Sequence, residues 1–175
     1  MTHSIRIHRA DNEPKAIEEL ADVLLDCVAG GASVNFMHAM PREKAMAFWQ
    51  NALTSSGRGE RVLLVAEDTA TGTIVGTVQV VPAPQDNQPH RADIAKMLVH
   101  RSARRRGVGA ALMQAAEATA RELGKTLLVL DTAAGGDAER LYARLGWQRL
   151  GTIPGYALFP DGSLCGATFF YRVLE

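Results

Sequence analysis

The stretch Arg104-Arg105-Arg106-Gly107-Val108-Gly109 decides how this chain is read. It lies between a strand-like segment at 92–100 and a helical pattern at 107–123, with no room for other structure between them. Glycines lack Cβ, so their backbone N–H groups can approach a ligand closely. Here they open a helix, whose unpaired N–H groups and positive dipole end attract anions. Three arginines precede them, each able to contact phosphate. The combination reads as a pyrophosphate cradle; a helix start beside a solvated arginine cluster is the plainer alternative. Two nucleotide motifs are excluded. The chain has no Gly-x-x-x-x-Gly-Lys-Ser/Thr. A dinucleotide fingerprint needs a third small residue where Leu112 stands and its first glycine directly after the strand, whereas the basic loop 101–106 intervenes.

Outward from this point the pattern alternates. Ile5 and Ile7 share one face of a short strand at 4–9. Pro14 opens a helix carrying Ile17, Leu20, Leu24 and Val28, stopped by Gly30-Gly31. Pro41 opens a second, with Ala45, Phe48, Trp49, Ala52 and Leu53 on one side and a turn at 55–59. The β-branched segments 62–66 and 73–81 flank Thr71-Gly72 as a hairpin. Beyond the arginines, Leu112, Ala115, Ala116, Thr119 and Leu123 mark the buried side of the third helix, with Gly124 at C′. The apolar run 126–130 reads as a strand covered on both faces, 137–145 as a fourth helix closed by Gly146, and 147–150 and 168–173 as the last strands. This succession predicts an α/β fold with a parallel strand pair around the third helix. The early hairpin makes the sheet mixed, with six to seven strands and about four flanking helices.

Composition sets the remaining bounds. At 175 residues, 47% hydrophobic and 22% charged, the chain reads as one domain with a core that needs no disulfide or metal. No apolar run approaches the ~20 residues that span a bilayer, and residues 1–10 do not read as a signal peptide. Nineteen basic against nineteen acidic residues disfavour general nucleic-acid binding. Cys27 and Cys165 lie far apart, which argues against a zinc site or disulfide and suits a reducing cytoplasm. His3, His8, His38, His90 and His100 are scattered, so no metal is expected. Monomer and homodimer both stay open.

Three motifs together carry a family resemblance. Lys96-Met97-Leu98-Val99, then Arg104-x-x-Gly107-x-Gly109, then Tyr142-x-x-Leu145-Gly146-Trp147 resemble the acyl-CoA motifs of the GNAT acetyltransferases, in order and across essentially the whole chain. Gly30-Gly31-Ala32-Ser33-Val34, Leu130-Asp131-Thr132 and Pro154-Gly155-Tyr156, followed by Pro160-Asp161-Gly162, resemble the tabtoxin-resistance branch, which acetylates an amino-acid-like β-lactam toxin. The resemblance implies a sheet splayed at the acetyl-CoA site. It implies that Met97, Leu98 and Val99 pair with the pantetheine amides like an added strand. The pyrophosphate then meets Arg104, Arg105, Arg106, Gly107, Val108, Gly109 and Ala110, and Asn35 and Phe36 border the acceptor pocket. An ordinary interhelix loop is the alternative for that last pair.

The implied chemistry is attack of a neutral amine on a thioester. An amine of pKa ~10.4 costs roughly 4 kcal/mol to deprotonate near pH 7.4, an α-amine of pKa ~8 under about 1 kcal/mol. A carboxylate of unshifted pKa is a poor direct acceptor, so it acts through water or with its pKa raised by burial. Asp93 stands where the family often carries a glutamate, and is one methylene shorter; a solvated charge paired with Arg91 is its other reading. Asp131 ends a buried strand and faces the acyl group, or caps the following turn. Tyr142 stands at the family position of the acid for the departing thiolate, and otherwise packs as a core tyrosine with Leu145. The resulting expectation is acetyl transfer from acetyl-CoA to an amine of a small amino-acid-like acceptor. A protein N-terminal or lysine acetyltransferase and a non-catalytic acyl-CoA-binding module are the rivals.

Overall fold

The computed structural model describes residues 4–175, so His3 and the start of the 1–10 stretch lie outside the described residues. In chain order the elements are β1 (Ile5–Arg9), α1 (Pro14–Ala29), α2 (Arg42–Gly57), β2 (Val62–Asp68), β3 (Thr73–Pro82), β4 (Arg91–Val99) and a 3₁₀ turn at Arg101–Ala103. Then come α3 (Val108–Glu122), β5 (Leu127–Ala133), α4 (Asp137–Arg144), β6 (Gln148–Leu158) and β7 (Leu164–Val173). Pro14 sits at the start of α1, where its missing N–H has no helical partner to lose. Gly124 and Gly146 follow the ends of α3 and α4 at φ +70° and +83°, a conformation open to glycine at no steric cost.

The seven strands form one sheet in the order β1-β2-β3-β4-β5-β7-β6. Every neighbouring pair is antiparallel except β4 and β5. That parallel pair is short: Arg91 opposes Leu127, Ala92 Leu128 and Asp93 Val129, and there it stops. Beyond Asp93, β4 follows β3 as far as Val99, whereas β5 stays paired with β7 along its whole length.

Two apolar layers cover the sheet. On one face α3 buries Val108, Leu112, Met113, Ala116 and Ala120 against Leu64, Val78, Ile94, Leu128 and Leu130. On the other, α1 and α2 bury Leu20, Leu24, Trp49 and Leu53 against Leu63, Val65 and Leu98. Each fully buried Leu contributes about 1.5–3 kcal/mol. At the far end of the α3 layer, Glu117 accepts from Trp147 Nε1 at 3.0 Å and pairs with Arg172 at 3.2 Å, so its buried charge is neutralised.

Three local expectations are corrected. β6 runs to Leu158 and β7 begins at Leu164, so the last hairpin is far longer than 147–150 and 168–173. It continues past Gly151 and the 154–156 stretch by shifting register twice. α2 extends through Gly57 where a turn was expected. Leu123 is 38% exposed, since it caps α3 rather than facing the layer.

The seat of α3 depends on Gly76. A Cβ there would stand 3.0 Å from the Leu98 carbonyl oxygen, 3.1 Å from Leu112 Cδ1 and 3.2 Å from Val108 Cγ1. Gly76→Ala therefore pushes the first turns of α3 off the sheet and costs about 1–3 kcal/mol, read as a fall in the urea midpoint. An unchanged midpoint would show that α3 has room to move there.

Candidate active site

Where β4 and β5 part, a cleft of about 1070 Å³ opens. Residues of β4 from Ile94 to Val99 form one wall and Leu130, Asp131, Thr132 and Ala133 of β5 the other. The turn before α3, the first part of α4 and the loop after α1 close its ends.

Arg104, Arg105, Gly107, Val108, Gly109 and Ala110 all line the cleft. Its two glycines are required for different reasons. Gly107 has φ +76° and open space where a Cβ would go, so backbone conformation selects it. At Gly109 a Cβ would stand 3.0 Å from Leu141 Cδ2, so close approach of α3 to α4 selects it. Arg104 Nε lies 3.3 Å from the Val99 carbonyl oxygen, to which it donates. Arg106 is turned elsewhere. Its Nη2 binds Asp68 Oδ2 at 2.9 Å, bracing the turn to β2, and it does not line the cleft.

The turn is also tied to α1. Asp26 accepts from the Arg101 backbone N–H at 2.7 Å and from Arg101 Nε at 2.9 Å. Burial pushes the Asp26 carboxyl up, but the two Arg101 hydrogen bonds and the His100 and Arg101 charges outweigh it and hold the group below its ordinary 3.8.

Met97, Leu98 and Val99 line the wall on which β4 has lost its β5 neighbour. Cys27 lies behind them, its Sγ 3.4 Å from the Val99 carbonyl oxygen, and burial pushes its thiol up, away from the reactive thiolate.

Asp131 enters the cleft from β5. Burial pushes its carboxyl above the ordinary value, Lys96 pulls it down, and the Asp93 charge adds to the rise. Asp93 itself lies outside the cleft lining, with Oδ1 accepting from Arg91 Nη1 at 2.7 Å and a side chain 45% exposed. The structure thus pairs it with Arg91, and its charge reaches Asp131 through space. Tyr142 lines the cleft from α4 and is 5% exposed, its ring tilted against Trp147 and edge-on to Phe170. Burial first, and the Asp131 charge second, push its phenol well above the ordinary value.

Asn35 lines the cleft at φ +75°. Phe36 does not; its ring is edge-on to Phe48 of α2 at 5.3 Å. The sequence reading gave no role to Lys96, which lines the cleft and interacts electrostatically with Asp131. Among the described residues no group of three His, Cys, Asp or Glu side chains is placed to hold a metal ion, and no helix is long and apolar enough to cross a membrane.

The sequence places this splayed parallel pair and its arginine- and glycine-built helix start within a family. The profile of the acetyltransferase (GNAT) family matches residues 18–147, and the chain belongs to that family. Solved structures agree over nearly the full length. A protein described as a phosphinothricin N-acetyltransferase aligns at 22% identity and TM-score 0.80, over 98% of this chain and 99% of its own. The ribosomal-protein-alanine N-acetyltransferase from Brucella melitensis aligns at 22% and 0.78, over 97% and 99%. An acetyltransferase from Salmonella typhimurium, solved with its cofactor acetyl-CoA, aligns at 19% and 0.79, over 98% and 94%. At these identities the likeness shows the fold, and proteins with such different acceptors share it.

The Asp26 tie yields a pH test. A carboxyl whose folded pKa lies below its unfolded value stabilises fully above about pH 4 and loses that contribution as pH falls through the depressed value. Asp26→Asn should therefore lower the urea midpoint at pH 7 by the equivalent of about 1–2 kcal/mol, and the gap to wild type should shrink below about pH 4. A gap that stays constant over that range would mean that the Asp26 charge is irrelevant to the tie.

Proposed function

We propose that this chain transfers acetyl from acetyl-CoA to the amine of a small, amino-acid-like acceptor by direct attack on the thioester. The observation that carries the reading is the cleft itself. It joins an unpaired strand edge, an anion-attracting helix start and a partly desolvated carboxylate in one space. The resemblance of residues 30–34, 130–132, 154–156 and 160–162 to the tabtoxin-resistance branch supports a β-lactam toxin or antibiotic as the acceptor. We place the whole chain, as one domain, in the cytoplasm; the free, buried thiols of Cys27 and Cys165 are compatible with a reducing compartment.

In this reading the outer edge of β4 at Met97, Leu98 and Val99 binds the pantetheine amides. The N–H groups of the turn from Arg105 to Ala110, with the Arg104 and Arg105 guanidiniums, bind the pyrophosphate. Acetyl-CoA supplies an activated acyl group with a thiolate leaving group. Asp131, with its pKa raised by burial, takes the ammonium proton of the acceptor directly or through one water. The Asp93–Arg91 pair lies further out and acts on that proton path only through its field. Tyr142 keeps its proton at any working pH, so it stabilises the departing thiolate by a hydrogen bond. Full transfer from a phenol raised so far above a thiol pKa of ~8.5 is uphill, and the expected benefit is correspondingly small.

A thiol-release assay with acetyl-CoA and a panel of amines, including β-lactam amino acids and peptide N-termini, tests the reading. It separates the small-molecule enzyme from a protein acetyltransferase and from a non-catalytic acyl-CoA-binding module. Asp131→Asn should lower kcat by about 10²-fold with little change in the acetyl-CoA KM. Tyr142→Phe should lower it by roughly tenfold or less. Full turnover in either variant removes that residue from the proton path. Replacing Arg104 and Arg105 together by Ala should weaken CoA binding by about 10²-fold at low salt, measured by calorimetry, and flatten its salt dependence. Wild-type affinity would overturn the cradle.

A further inference from the structure

The bulge in β4 puts a cation in the wall of the cleft. Thr77 opposes Leu98 and Gln79 opposes Ala95, so Val78 alone faces both Lys96 and Met97. Lys96 takes φ +50° to make that bulge, a conformation that costs a non-glycine residue about 1–2 kcal/mol. In an unbroken strand Lys96 would share the face of Ile94, inside the apolar layer under α3. The bulge reverses the phase. Met97 packs in the α3 layer, Leu98 in the α1–α2 layer, and the Lys96 ammonium lies 5.7 Å from the centre of the Phe48 ring of α2.

The ammonium is half-buried there with no carboxylate oxygen within 4 Å among the described residues. Asp131 acts on it only at longer range. Arg61, the other cation whose field it feels, is already bound to Ser55 Oγ at 3.0 Å and to Gln79 Oε1 at 2.8 Å. A partly desolvated charge left without a direct counter-ion is costly, and the cation–π contact with Phe48 offsets only part of that cost. Strained backbone and a desolvated charge are tolerated together where a ligand completes them.

We propose that Lys96 binds an anionic group of the acceptor, a carboxylate, so that the enzyme selects zwitterionic amino-acid-type amines over the same amines with that carboxylate neutralised. The inference rests on the acetyltransferase reading above and deepens it. The charges in the cleft form a matching couple: the amine end of such an acceptor faces the Asp131 carboxylate and its carboxylate end faces Lys96. A neutral amine gains nothing from Lys96, and a cationic one is repelled by it.

The test uses L-leucine, L-lysine and L-glutamate beside their α-carboxamides as acceptors, with wild type and Lys96→Met. Wild type should favour the acids by tenfold or more in kcat/KM. Lys96→Met should raise the KM of the acids by about 10–100-fold and erase the preference. A wild-type enzyme indifferent to the carboxylate overturns the proposal, whether or not the variant folds. So does a fall in kcat shared by acids and amides in Lys96→Met, which would mark Lys96 as a base. An amine without a carboxylate that outperforms all three amino acids also overturns it. If no amine is acetylated, the acetyltransferase reading fails instead. Calorimetry of the three acids and their amides on CoA-loaded wild type then decides Lys96 separately: tighter binding of the acids supports the site, and equal binding removes it.

Discussion

Past Asp93, β4 has a partner on one edge only. Backbone N–H and C=O groups are obligatory hydrogen-bonding groups, so an open edge inside a cleft is a binding surface, to be filled by water or by a ligand with amides of its own. β5 does not close it: Leu127 to Val129 pair with both β4 and β7, but from Leu130 to Ala133 the strand pairs with β7 alone and leaves an open edge of its own toward the cleft. The cleft is therefore a consequence of strand accounting. The positions of Asp131, Tyr142 and the turn before α3 follow from it, since each is held by an element that the divergence keeps apart.

What keeps the cleft in register lies outside it. Asp26 fixes the 3₁₀ turn from α1, Arg106 fixes the following turn to Asp68 of β2, and Gly76 lets α3 settle against β3 and β4. A run of three arginines looks uniform in sequence, yet the structure divides its labour. Arg104 and Arg105 face the cleft, and Arg106 holds the turn from behind. An anion-binding turn needs this rigidity, because N–H groups preorganised toward one point bind without the cost of ordering them at the moment of binding.

The order of elements was legible because each carries its own signal: periodic apolar residues, Pro14 at a helix start, and glycines at helix ends. The splay was legible only through the three motifs that resemble a family, since no residue pattern marks the point where pairing stops. Three things were not legible. The long β6–β7 hairpin hides behind Gly151, Pro154 and Gly155, which break strand alternation although the register shifts absorb them. Phe36 looks like a pocket residue in a loop, but Phe48 offers its ring a better partner. The role of Lys96 is hidden in sequence, because its face depends on a bulge, and a lysine carries none of the conformational signal that a glycine would.

That last case extends to the whole site. Among the described residues four non-glycine residues have positive φ: Asn35, Ala39, Lys96 and Arg105. Three of them, all but Ala39, line the cleft. Asparagine tolerates this conformation comparatively well, but lysine and arginine do not. Each costs about 1–3 kcal/mol, a large part of the 5–15 kcal/mol that separates folded from unfolded domains. Partial desolvation of Lys96 adds a further cost, because the attraction of Asp131, exposed on β5, only partly restores the hydration that Lys96 loses. A chain selected for stability alone would place glycine at the bulge and an apolar pair in the splay. In the rest of the described structure the buried carboxylates Glu117 and Asp68 are paired with Arg172 and Arg106, so strain and uncompensated charge concentrate where a ligand with an amine and an anion would relieve them.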